Sequence, residues 1–79
     1  MNGRQIRAAR ALIGWSAQDL ANASSVGVAT IRRAELKDGE TGMTAPNTAA
    51  IRAALEVAGV LFIDKNGEGP GVRLKKSTG

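Results

Sequence analysis

A chain of 79 residues with neither cysteine nor histidine has to be held together by apolar packing alone. Disulfides are excluded, and with them zinc sites of the usual ligand types, thiol nucleophiles and imidazole general bases. A single domain of this size buries only about 60% of the surface its unfolded chain exposes. Hydrophobic residues make up 43% of the chain, many of them alanine, and Trp15 and Phe62 are its only aromatics. Such a composition predicts closely packed helices with small side chains between them. No paired carboxylates fall on one helix face. These absences argue against an enzyme, and no cofactor or metal is expected.

The apolar spacing places the helices. Ile6, Ala9, Leu12 and Ile13 recur at helical intervals among Arg4, Arg7 and Arg10, which predicts a first amphipathic helix over residues 3 to 13, stopped by Gly14. Ser16 is an N-cap with Asp19 three residues on, and Ala17, Leu20, Ala21 and Ala23 supply a short second helix. The run Ser24-Ser25-Val26-Gly27 breaks it, and a third helix follows over Val28 to Leu36. Residues 37 to 44 hold two glycines and no apolar period, and read as a surface linker. Pro46 and Asn47 open a fourth helix with Ile51, Ala54, Leu55 and Ala58 at i, i+3, i+4 and i+7, and Gly59 stops it. Val60 to Ile63 and Val72 to Lys75 then read as strands around an Asn66-Gly67 turn, with a frayed tail from residue 76. The predicted fold is mostly α: a four-helix domain over residues 1 to 59, followed by a C-terminal β-hairpin over 60 to 76 that either joins the same domain or serves dimerisation.

The formal net charge is +4, unevenly spread. Residues 1 to 37 carry six Lys/Arg against two Asp/Glu, residues 38 to 64 one against four, and residues 65 to 79 four against one. Basic ends suit a polyanionic partner. No apolar run approaches the length of a membrane span and the first ten residues lack a secretory signal's apolar segment, so the expected location is the cytoplasm.

Two short helices joined by a turn of three or four residues, the second rich in exposed polar side chains, form the unit that lays a helix in the DNA major groove. Leu20 faces the core, Ala21 is small where the helices cross, Val26 plugs the turn, and Ile31 and Ala34 pin the third helix from behind. With Arg10, the stretch Trp15-Ser16-Ala17-Gln18-Asp19-Leu20-Ala21 and the stretch from Val26 to Glu35, the chain resembles the phage repressor and Cro-like helix-turn-helix family, also called the xenobiotic-response-element family, over residues 4 to about 59.

The resemblance implies that Ala17 at the start of the second helix, and Val28, Ala29, Thr30, Arg32 and Arg33 of the third, face DNA. Gln18 beside Ala17 is added to the expected DNA-binding set, as is Lys37, which could reach the phosphates from its loop although Asp38 and Glu40 would repel them. Arg33 is the best base reader, because a guanidinium donates two hydrogen bonds to guanine O6 and N7. Thr30 and Arg32 would reach phosphates or base edges, and Val28 and Ala29 a thymine methyl. The resemblance also joins Arg10 to Glu35 in a partly buried ion pair that is structural. Trp15 reads as a core residue beside the first turn rather than as a DNA-stacking one. Three positions depart from the family pattern: Ala17 replaces a glutamine that binds DNA, Ser25 a turn glycine, and Gly27 a capping serine.

A single domain reads only half of a palindromic site, so a homodimer is expected, with Phe62, Val72 and Leu74 burying a face of the hairpin and a strand edge meeting its twin. The expected function is that of a sequence-specific DNA-binding transcriptional regulator, such as a repressor acting on a palindromic operator. The alternative is a helix-turn-helix-derived protein-interaction module, such as an antiactivator that sequesters a transcription factor, favoured by Ala17 and the apolar pair Val28-Ala29.

Overall fold

The computed structural model describes residues 1–63 and 69–75. Its elements run α1 (Gly3–Ile13), α2 (Ala17–Ser24), α3 (Val28–Glu35), α4 (Ala45–Val57), β1 (Val60–Ile63) and β2 (Gly71–Leu74). The chain is thus mostly helical, with a C-terminal antiparallel hairpin, as its spacing predicts. The Asn66-Gly67 turn, Lys76 and the tail to residue 79 lie outside the described residues.

Local chemistry starts and stops each helix. Asn2 caps α1: its side-chain oxygen accepts from the Gln5 amide at 2.8 Å while Gln5 Oε1 accepts from the Asn2 amide at 2.9 Å, a full capping box. Ser16 and Asp19 form the same reciprocal pair on α2, at 3.0 and 2.9 Å. Thr44 Oγ1 accepts from the Asn47 amide, so α4 begins at Ala45, one residue before the Pro46 start predicted from sequence. Gly14 ends α1 at φ 69°, in the left-handed region where a side chain would be strained.

One apolar cluster spans all of these elements. Ile6 and Ala9 of α1, Leu20 and Ala21 of α2, Ile31 and Ala34 of α3, Ile51, Ala54 and Leu55 of α4, and Val26 and Val60 are buried together. Each fully buried isoleucine or leucine contributes roughly 1.5–3 kcal/mol relative to exposure. Trp15 is half-buried against this cluster, in keeping with its expected core role.

The hairpin belongs to the same core. Val60 pairs with Leu74, and Phe62 with Val72, on the face turned to the helices, while Leu61 pairs with Arg73 on the other. Phe62 and Val72 pack against the cluster, and the Arg52 guanidinium of α4 lies 5.2 Å from the centre of the Phe62 ring. Gln5 Nε2 donates to the Gly71 carbonyl at 3.1 Å, tying α1 to β2 across 66 residues of sequence.

The segment after α3 is not the plain linker its composition suggested. The Gly3 amide donates to the Gly39 carbonyl at 3.3 Å, Asn2 and Glu40 form a β-bridge, Thr41 is buried, and Met43 packs on the core. Gly3 makes this possible, since a Cβ there would overlap the carbonyl oxygens of Ala34 and Lys37. The first turn of α1 therefore lies directly over the end of α3.

Candidate nucleic-acid interface

The helix-turn-helix is built from α2, α3 and the three residues between them. Ser25 closes α2 in the left-handed conformation, φ 60° and ψ 23°, the only described non-glycine residue with positive φ. Ser24 Oγ stabilises the turn by donating to the Leu20 carbonyl at 2.7 Å and accepting from the Val26 amide at 3.2 Å. Val26, now buried, plugs the turn as its apolar character predicts. Gly27 precedes α3 without a side-chain cap.

The inner face of α3 is Ile31, Ala34 and Glu35, all buried. With 100° per residue, Ala29, Arg32 and Arg33 then turn outward, and each is exposed. No ion pair joins Arg32 or Arg33 to any described residue. Arg33 Nη2 lies 3.4 Å from Thr30 Oγ1, a contact that steers the guanidinium along the helix without neutralising it. Val28 and Ala17 are only partly exposed, because each packs one side against the core. Gln18 is exposed and donates to Asn22 Oδ1 at 3.1 Å along its own helix. Lys37 is exposed, and its ammonium group sits beside Gly42, over the loop rather than along α3.

Arg10 holds the frame. Its Nε donates to Glu35 Oε2 and its Nη2 to Glu35 Oε1, both at 2.7 Å, and its Nη1 donates to the Trp15 carbonyl at 2.9 Å. One guanidinium thus joins α1, α3 and the α1–α2 turn. The hydrogen bonds to Glu35 raise the Arg10 pKa above its ordinary value, outweighing the opposite pull of burial. Bidentate geometry of this kind fixes orientation as well as charge.

Leu36, expected as the last residue of α3, lies just beyond its end at Glu35 and was not among the residues expected to face DNA. It follows α3 with helical dihedrals and is 81% exposed, seven residues from Ala29 and hence on the same outward face. The seven-residue spacing was the signal available. Of the three residues assigned to dimerisation, Phe62 and Val72 are engaged within this chain, and Leu74, at 50% exposure, is the open one.

The chain matches no protein-family model and no curated protein. No described helix is long and apolar enough to cross a membrane.

Proposed function

We propose that this chain is a sequence-specific DNA-binding transcriptional regulator that occupies a palindromic operator as a homodimer in the cytoplasm. The observation that carries the reading is α3 itself, anchored by Ile31, Ala34 and the Arg10–Glu35 pair, with Arg32 and Arg33 outward and without acidic partners among the described residues. Phosphate attraction supplies most of the affinity, and Arg33 the base discrimination. The fold spans 34 × 30 × 20 Å. Two copies in contact therefore suit half-sites one helical turn, about 34–36 Å, apart. Leu74 and a hairpin edge are the surfaces offered to the second copy.

The test is selection of bound duplexes from a random pool at stated salt, followed by titration of two variants. Arg33→Ala is expected to weaken the preferred site by roughly 1–3 kcal/mol and flatten the preference at one base position per half-site. Arg32→Ala is expected to weaken all duplexes evenly and lower the salt slope by about one unit. A folded wild-type protein that binds no duplex at low salt would sink the reading.

A second reading, a module that sequesters another protein, has a specific observation behind it. Leu36 stands exposed on the outward face of α3, and an apolar groove lined by Trp15, Ala23, Ala50, Ala53 and Val57 runs between α2 and α4. Under that reading neither arginine substitution changes a base preference, because no preferred duplex exists.

A further inference from the structure

Besides Arg10, two more arginines of α1 converge on one atom. Arg4 Nε lies 3.2 Å, and Arg7 Nη2 3.7 Å, from the same oxygen, Oδ1 of Asp38. The two arginines are three residues apart and share a helix face. We propose that Arg4 and Arg7 form a clamp for a DNA phosphate, occupied in the free protein by the Asp38 carboxylate and taken over by a backbone phosphate on binding. The inference rests on the DNA-binding reading above.

Several features support it. The loop does not need this ion pair for its position, since the Gly3–Gly39 hydrogen bond, the Asn2–Glu40 bridge and buried Thr41 already hold it. The three side chains are open to water, 68% and 46% exposed for Arg4 and Arg7 and 70% for Asp38. Exposed pairs of this kind add little stability, so a doubly charged clamp can exchange one anion for another at small cost. Finally, the Arg4 guanidinium holds the Asp38 carboxyl below its ordinary pKa, which marks the point as one that favours negative charge. The clamp also lies beside the end of α3, because Gly3 seats the first turn of α1 on the carbonyls of Ala34 and Lys37.

The experiment compares wild type, Asp38→Asn, Arg4→Gln/Arg7→Gln and the triple variant by anisotropy on selected and random duplexes across a salt series, with circular dichroism confirming the fold. Arg33→Ala is titrated alongside. Asp38→Asn is expected to tighten both duplexes about threefold, since phosphate contacts carry no sequence information. Arg4→Gln/Arg7→Gln should lower the salt slope by roughly one to two units, and the triple variant should lose the gain made by Asp38→Asn. Slopes that coincide for wild type and the double arginine variant, or a gain that persists in the triple variant, overturn the clamp. If Arg33→Ala still abolishes a base preference in that case, the regulator reading stands without it. If neither wild type nor Asp38→Asn binds any duplex at low salt, both fall.

Discussion

Arg10 shows what a single residue does in a core this small. Its side chain is only 21% exposed and that of Glu35 only 9%, so removing one partner strands a desolvated charge, whereas removing both does not. Arg10→Met is expected to cost about 3 kcal/mol by urea denaturation, and Glu35→Leu in the same chain to recover much of that. Recovery should stop short of complete, because the hydrogen bond from Nη1 to the Trp15 carbonyl is lost in both variants. A double-mutant cycle with no coupling would refute this account of the pair. Arg10 and Glu35 were legible in the sequence through the family they resemble, whereas their joint hold on the α1–α2 turn was not. Gln5 was not legible at all as a link: nothing local distinguishes a capping glutamine from one that also reaches Gly71.

At the scale of elements, the turn between α2 and α3 carries the largest departure from local preference. Ser25 occupies a left-handed conformation that disfavours any Cβ by roughly 1 kcal/mol or more. Ser25→Gly is therefore expected to stabilise the protein by about 0.5–1 kcal/mol, raising Tm by a few degrees in a thermal melt, with the flexibility of glycine in the unfolded chain offsetting part of the gain. An unchanged or lower Tm would show that the strain is relieved elsewhere in the turn. Helix positions followed from the 3.6-residue apolar period and from caps acting over three or four residues. Where a start was misjudged, as at Thr44 before Ala45, the competing signal was Pro46, which is tolerated throughout the first turn.

For the molecule as a whole, the hairpin is where the sequence left two options and packing bears on both. Val60 is fully buried, Phe62 and Val72 cover the core, and Gln5 donates to Gly71, so residues 1–59 alone would expose apolar surface and free a buried amide. Truncation after Gly59 is expected to lower Tm by more than about 10 °C, given a loss of a few kcal/mol in a domain of this size; a truncated chain melting within a few degrees of the full one would show the helices to be self-sufficient. What the sequence by itself determined is everything that depends on neighbours within about one helical turn: which segments are helices, which of their faces are apolar, and where they stop. Tertiary structure decided what joins residues far apart in the chain, namely the pairing of the 37–44 segment with the N-terminal residues, the meeting of Arg4 and Arg7 with Asp38, and the seating of β2 on α1. The physical reason is that periodicity and capping act through the local backbone, whereas a contact across 34 or 66 residues depends on how all the buried faces pack at once.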